Sequence, residues 1–81
     1  MDSRKTIEGF LVTEFLKGKP FDLRDDESFL QSGVMDSFGL MALVGFLEAT
    51  FHIKVLDHEL MPENLDSMGS LLAYLDKKGV K

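Results

Sequence analysis

The segment from Phe38 to Phe51 restricts the possible folds most, because apolar residues fill almost all of it and Glu48 is its single charged residue. Four of these residues recur at helical spacing, namely Met41, Val44, Leu47 and Phe51. Further apolar residues lie on the other faces of the predicted helix, namely Phe38, Leu40, Leu43 and Phe46. A helix that is hydrophobic nearly all round is either deeply buried or in contact with a partner. A chain of 81 residues cannot bury it on every side, so we expect part of its surface to be exposed.

An amphipathic helix is predicted on either side of this segment. The first covers about residues 3–17, with Asp2 or Ser3 as its cap and Gly18 followed by Pro20 at its end. Its apolar residues recur at helical spacing: Ile7, Phe10, Leu11 and Phe15. The last helix starts after Ser67, a good N-terminal cap, and closes at Gly79. Its apolar residues follow the same spacing: Met68, Leu71, Leu72 and Leu75.

The connections between the helices are unequal in length. Residues 18–36 form a long predicted loop with apolar anchors that we expect to pin it to the core, namely Phe21, Leu23, Phe29 and Leu30. One helical turn is expected near residues 27–30. Residues 52–56 are predicted to be extended, and residues 57–60 to form one helical turn that ends before Pro62. The sequence therefore predicts an all-α fold, a single domain over 1–81 with three main helices, one short helix and a long loop between the first two.

Charge and cysteine content narrow the possible functions. Residues 20–66 carry ten acidic and two basic side chains, which argues against nucleic acid and anionic membranes as partners. The longest apolar run, Leu40 to Leu47, is far too short to span a bilayer. The N-terminus lacks the apolar core of a signal peptide. The chain has no cysteine to form disulfides or to serve as a nucleophile, which is compatible with the cytoplasm. We expect a cytoplasmic protein and, separately, a monomer.

Most candidate sites for catalysis or metal binding are weak. The six-residue spacing of His52 and His58 does not place both on one face of a helix, so no metal site is predicted. The acids at residues 22–27 lack the alternating ligands and central glycine of a calcium loop. Ser37 lacks the strand–turn–helix context of a hydrolase nucleophile. We therefore expect no catalytic residues in this chain.

Ser37 has two interpretations. As a serine after Asp36 at the start of a predicted helix, it is most simply a cap, and Ser37→Ala is then expected to cost about 1 kcal/mol. A hydroxyl at a helix N-terminus is also well placed to carry a phosphate group, because unpaired N–H groups and the positive end of the helix dipole lie nearby. Either Asp36 or Ser37 can be the cap on spacing alone. The nearby glycines Gly39 and Gly45 indicate either tight packing or a flat surface for a ligand or an enzyme.

The residues around Ser37 resemble the phosphopantetheine attachment motif of acyl and peptidyl carrier proteins, which is centred on an Asp-Ser pair followed by a hydrophobic residue. The matching stretch is Gly33-Val34-Met35-Asp36-Ser37-Phe38-Gly39-Leu40. The resemblance continues at three other places and covers essentially the whole chain: Asp26 to Leu30, Phe51 to Ile53, and Leu60 to Ser67.

This resemblance implies a carrier function. A separate phosphopantetheinyl transferase would attach 4'-phosphopantetheine to Ser37, and Asp36 would help that enzyme to recognise the site. The thiol of the arm would hold acyl or aminoacyl groups as thioesters for an adenylating or acyl-loading enzyme and a downstream synthase or transferase. Such pathways make fatty acids, polyketides or nonribosomal peptides, and the carrier itself is no enzyme. We expect partner enzymes to contact a small set of residues on the central helix: Phe38, Leu40, Met41 and Glu48.

One departure from the family pattern bears on the pathway. Carriers of fatty-acid synthesis have several acidic residues on this helix, whereas Glu48 is the only one here. The apolar helix is more similar to free-standing carriers that work with adenylating enzymes, and the position of both chain ends near the domain edges favours the same interpretation. The alternative is an unmodified helical interaction module of the same topology, which grips a partner through Phe38, Leu40 and Phe46.

Overall fold

The computed structural model of the protein describes residues 2–80. These residues form four α-helices and one 3-10 turn, with no strand among them. The elements in chain order are α1 (Ser3–Glu14), α2 (Ser37–Phe51), the 3-10 turn (Asp57–Glu59), α3 (Pro62–Leu65) and α4 (Met68–Lys77). The predicted all-α fold is confirmed, with three longer helices, one short helix and a long first connection.

The N-terminal ends of the three longer helices are capped by side chains. Asp2 accepts a hydrogen bond from the backbone N–H of Lys5 at 3.2 Å, which starts α1. Ser67 accepts one from the N–H of Ser70 at the same distance and starts α4. Asp36 caps α2. Each side chain pairs a backbone donor that has no partner within its helix, and the caps expected at Asp2 and Ser67 are confirmed.

Helix α1 ends three residues earlier than predicted. The N–H of Leu16 bonds to the carbonyl of Leu11, five residues back, and the N–H of Gly18 bonds to Val12, six residues back. The N–H of Phe15 makes the last four-residue bond, also to Leu11, and the backbone widens after it. Lys17 and Gly18 then adopt left-handed conformations with φ of 52° and 84°, which turn the chain away from the helix.

The short helix lies later in the chain than predicted. The turn expected at residues 57–60 is present as the 3-10 turn, but the short α-helix begins at Pro62. Proline is favoured at the first position of a helix, where its missing N–H would have no partner within the helix. The sequence interpretation treated Pro62 only as a stop signal, and this was wrong.

All four helices and both connections contribute to one core. Its buried apolar side chains are Ile7, Leu11, Phe29, Met35, Leu43, Val44, Leu47, Val55, Leu65, Met68, Leu71, Tyr74 and Leu75. Helix α4 packs against both α1 and α3. Only one stripe of α2 is buried, so the expected exposure of this apolar helix is confirmed.

The first connection, residues 15–36, is fastened to the rest of the chain by a buried ring and a carboxylate. Phe29 is fully buried in the core, and its N–H bonds to the carbonyl of Asp66 at 2.8 Å. The Asp66 carboxylate accepts hydrogen bonds from the Ser28 hydroxyl and from the Leu30 N–H, the latter at 2.9 Å. The other predicted anchors, Phe21, Leu23 and Leu30, pack against the core while remaining partly exposed.

The second connection, residues 52–61, depends more on polar contacts. Its buried apolar residue is Val55, whose N–H bonds to the Glu48 carboxylate on α2 at 3.0 Å. The next N–H, that of Leu56, bonds to the Glu59 carboxylate at 2.9 Å. Two consecutive backbone donors are therefore paired by two different glutamates.

Glu59 also joins this connection to the end of α4. Its carboxylate accepts hydrogen bonds from the Tyr74 hydroxyl at 2.9 Å and from the Lys78 ammonium at 3.0 Å. The Leu56 N–H and the Lys78 ammonium are the main causes that lower the pKa of Glu59 to about 2. Burial, followed by the hydrogen bond to Glu59, raises the pKa of Tyr74 to about 12. The Glu59 carboxylate is thus held in its charged form by the groups that it joins.

Candidate functional site

Ser37 is the first residue of α2, and its side chain is exposed. Within residues 2–80 its hydroxyl makes no hydrogen bond. The preceding turn contains Gly33 in a left-handed conformation with φ of 83°, at an exposed position. An enzyme can therefore approach the hydroxyl without breaking any contact within the described part of the chain.

The cap of α2 is Asp36, and not Ser37. One Asp36 carboxylate oxygen accepts a hydrogen bond from the Gly39 N–H at 2.8 Å, and the Asp36 carbonyl accepts one from Leu40 at 2.9 Å. Sequence spacing leaves open whether Asp36 or Ser37 is the cap. The extended backbone of Asp36 makes it the capping residue. Because Ser37 has no capping role, the expected cost of 1 kcal/mol for Ser37→Ala no longer applies.

Two backbone donors at the start of α2 remain unpaired. The N–H groups of Ser37 and Phe38 have no partner among the described residues, since the Asp36 side chain reaches only Gly39. The first turn of α2 contains no acidic side chain. The positive end of the helix dipole therefore lies beside the Ser37 hydroxyl, where a negative group is stabilised.

An open groove of about 670 Å³ adjoins this turn. Asp36, Phe38 and Gly39 form one side of it, and residues from the first connection form the other side. Its lining residues are Phe15, Gly33, Val34, Met35, Asp36, Phe38 and Gly39, and we call this cavity the loop-side groove. Asp36 is its only charged lining residue, and the other side chains are apolar.

Gly39 allows the close packing beneath this groove. A Cβ atom at position 39 would lie 2.8 Å from the ring of Phe15 and 2.9 Å from the Cβ of Met35. Any larger residue would push the first connection away from α2. The Phe15 ring in turn contacts the ring of Phe10 edge to face, and Phe10 stacks on Phe46 with 4.1 Å between ring centroids. The tight-packing interpretation is therefore confirmed for Gly39, whereas Gly45 has open space around it and no explanation in the structure.

The four predicted partner contacts differ in how far they are exposed. Phe38 is 86% exposed and Met41 is 54% exposed. Leu40 is partly buried and packs against the core. Glu48 lies about 16 Å farther along the helix axis from Ser37, and its carboxylate is engaged by Val55. The structure therefore places Phe38 next to Ser37 and Glu48 far from it. That Phe38, Leu40, Met41 and Glu48 contact a partner stays a prediction.

Three exposed apolar residues on or next to the second connection were missed in the sequence interpretation. They are Leu56, Leu60 and Met61, which together with Met41 we call the exposed apolar group. The sequence contains a signal for two of them. Leu60 and Met61 stand before a proline, and no apolar repeat at helical spacing predicts that they are buried. Phe15 and Val34 were also not recognised as neighbours of Ser37.

The other candidate residues are not brought together. His52 and His58 are both exposed, and Asp25 is paired with Arg4 through two oxygens at 2.8 Å each. This ion pair lowers the pKa of Asp25, chiefly through its hydrogen bonds with Arg4. Between residues 2 and 80 no three His, Asp or Glu side chains form a group that could hold a metal ion. No helix in that part of the chain has the length and the apolar character needed to cross a bilayer.

Comparison of the chain with protein-family models and with curated proteins finds no match. The functional argument therefore depends on the motif around Ser37 and on the geometry described above.

Proposed function

We propose that this protein is a carrier that holds acyl or aminoacyl groups on a 4'-phosphopantetheine arm attached to Ser37. One observation carries the proposal: the serine of the carrier-like motif is the exposed first residue of α2, and its hydroxyl has no partner within residues 2–80. A serine that served only the fold would be expected to cap the helix, and Asp36 already does so.

The residues at the start of α2 fit a phosphodiester. The unpaired N–H groups of Ser37 and Phe38 can stabilise its negative charge, whereas the Asp36 carboxylate that caps the same helix opposes it. The Asp36 carboxylate stays bound to Gly39, so the cap does not compete for the same donors. When bound, the arm supplies a thiol, which this cysteine-free chain lacks.

Attachment requires a transferase and coenzyme A. The Ser37 oxygen attacks the phosphorus that carries the pantetheine arm, and the bond from that phosphorus to the oxygen bridging the two phosphates breaks. 3',5'-ADP leaves, and the serine proton passes to a base of the transferase. Asp36 and Phe38 flank the reacting hydroxyl and are available for recognition by that enzyme, since both side chains are exposed.

The further partners in this proposal are an adenylating or acyl-loading enzyme and a downstream synthase or transferase, all in the cytoplasm. The nearly uncharged exposed surface of α2 favours partners that bind through apolar contacts. This feature supports a pathway with an adenylating enzyme, of the nonribosomal-peptide type, over fatty-acid synthesis. In this proposal the chain itself performs no catalysis.

The test is incubation of the purified protein with coenzyme A and a broad-specificity phosphopantetheinyl transferase, followed by intact-mass measurement. We expect the mass to increase by one phosphopantetheine group. Ser37→Ala should abolish the increase, whereas Ser32→Ala, at another exposed serine five residues earlier, should leave it unchanged. An unmodified protein beside a normally modified control carrier would refute the proposal.

Folding of the Ser37→Ala variant provides an internal control. Because the hydroxyl makes no contact within the described chain, the free energy of unfolding should change by less than about 0.5 kcal/mol. Asp36→Ala removes the cap and should cost about 1 kcal/mol. Chemical denaturation of both variants separates loss of modification from loss of structure.

The exposure of Phe38 and Met41 favours one alternative, an interaction module that carries no arm. It would bind a partner through apolar side chains on α2, although Phe46 is stacked on Phe10 and is not free to take part. This alternative predicts no increase in mass and partner binding that is unaffected by Ser37→Ala. The same mass experiment therefore decides between the two functions.

A further inference from the structure

Two apolar surfaces are candidates to receive the arm, and they can be distinguished by shape. The loop-side groove is a shallow, open depression, and three of its lining residues belong to the turn that bears Ser37. The members of the exposed apolar group line none of the three depressions described within residues 2–80. A flexible arm makes more apolar contact in a depression than on single exposed side chains.

We propose that the arm attached to Ser37 lies in the loop-side groove, against Phe15 and Val34, and leaves the exposed apolar group uncovered for a partner. This inference rests on the carrier function proposed above.

The position of the groove relative to Ser37 is the first argument. Asp36, Phe38 and Gly39 flank Ser37 in sequence and line the groove, while Ser37 itself is not among the lining residues. A chain that leaves the Ser37 oxygen therefore starts next to three residues of the groove wall. The part of the arm closest to its phosphate carries two methyl groups on one carbon, and these are the atoms that reach the groove first.

The chemistry of the walls is the second argument. The side chains of Phe15, Val34, Met35 and Phe38 offer apolar surface, and no basic residue lines the cavity. Asp36 adds a negative charge at the rim. The walls therefore suit an uncharged, apolar segment and disfavour an anionic one. Beyond its phosphate the arm has no charge, and its carbon with two methyl groups suits these walls, whereas its hydroxyl and two amide groups need the open, solvated side of the groove.

The packed interior is the third argument. Leu43 and Leu47 of α2 and Leu71 of α4 are fully buried. Space for the arm inside the bundle would have to be opened by moving side chains that fill the core at close-packed density. The groove already exists in the described structure, and its floor is held by the contact between Gly39 and Phe15.

The arrangement has a consequence for partner binding. Phe38 is the only residue shared by the groove and the predicted partner contacts. An arm in the groove therefore leaves Met41, Leu56, Leu60 and Met61 exposed at the same time. A partner enzyme that displaces Phe38 would draw the arm out of the groove.

The experiment compares the unmodified and modified protein by nuclear magnetic resonance. Amide shifts at residues 36–39 follow from the new bond itself and are left out of the comparison. We expect shift changes at Phe15, Gly33 and Val34 and none at Leu56 or Leu60. We also expect nuclear Overhauser contacts between the methyl groups of the arm and the Phe15 ring.

A matched pair of variants tests the position of the arm. Val34→Asp places a charge at the half-buried groove wall and should abolish the Phe15 contacts in the modified protein, whose mass increase is verified before the comparison. Leu56→Asp places the same charge in the exposed apolar group and should leave them intact. Circular dichroism confirms that both variants are folded.

The outcomes separate this inference from the proposed function. Two results overturn the groove assignment alone, provided that the mass increases normally. One is a set of shift changes around Leu56 and Leu60, and the other is an equal loss of the Phe15 contacts in both variants. Absence of the mass increase overturns the carrier function and the groove assignment together.

Discussion

The two connections that flank α2 are held in different ways. The first connection is long, yet it is fastened by the buried ring of Phe29 and by the carboxylate of Asp66 from a distant part of the chain. The second connection is short, buries only Val55, and depends on the carboxylates of Glu48 and Glu59. The length of a connection therefore does not determine how it is anchored: the first is held mainly by buried apolar side chains, and the second mainly by bonds to carboxylates. The surfaces of the two connections differ as well. A groove lies beside the first connection, whereas the second connection has exposed apolar side chains.

The largest expected effect comes from removing the buried side chain of each connection. Phe29→Ala should lower the free energy of unfolding by about 4 kcal/mol, because it leaves a large cavity in the core. Val55→Ala removes two methyl groups and should cost about 2 kcal/mol. Urea denaturation followed by circular dichroism measures both. Equal losses would contradict the view that the first connection is the more firmly buried.

The carboxylates provide a second, smaller comparison. Asp66→Ala removes two hydrogen bonds to the first connection and should cost about 3 kcal/mol, since bonds to charged groups are stronger than neutral ones. Glu48→Ala removes one bond to the second connection and should cost about 1.5 kcal/mol. Amide hydrogen exchange should locate the loss, with faster exchange at Leu30 in the first variant and at Val55 in the second. Faster exchange spread evenly over the chain would argue against local anchoring.

The smallest effect is expected from pH, and its main sources are Glu59 of the second connection and Tyr74 of α4. The pKa of Glu59 is lowered from 4.5 to about 2 in the folded state. Its contribution to stability is therefore fully present above the unfolded value and is lost as pH falls from about 5 towards 2. The pKa of Tyr74 is raised from 10.0 to about 12, so its contribution is present below pH 10 and is lost as pH rises towards 12.

Glu59→Gln isolates the acidic part of this dependence. The difference in unfolding free energy between the natural protein and the variant should be constant at neutral pH and should shrink as pH falls towards 2. Glu63→Gln, at an exposed glutamate of α3, serves as the control. A Glu59→Gln difference that stays unchanged down to pH 2 would show that the contacts with Lys78 and Tyr74 do not stabilise the charged form.

The sequence was sufficient to predict the helices because their signals are local. Periodic apolar residues, the caps at Asp2 and Ser67, and the closing glycine at Gly79 act within a few residues of the helix ends. The short helix at Pro62 was misplaced because proline has opposite meanings at the start and in the interior of a helix.

The surroundings of Ser37 were predictable only in part. The motif identified Ser37, Asp36 and Phe38, which are neighbours in sequence. The groove also needs Phe15, which lies more than twenty residues away from Ser37 in the chain. The bonds of Asp66 to Ser28 and of Glu59 to Lys78 likewise join residues 38 and 19 positions apart. The spacing of apolar residues shows which face of a helix a residue lies on. It does not show which distant side chain packs opposite that face.

The separation of the cap from the hydroxyl has a consequence for quality control in the cell. Since Asp36 starts α2 and the Ser37 hydroxyl contacts no other described residue, the folding equilibrium of the protein does not depend on its hydroxyl. Proteases and chaperones that sense unfolding would then treat the chain alike with and without this hydroxyl. Only an enzyme that reads the surface at the start of α2 can detect its loss.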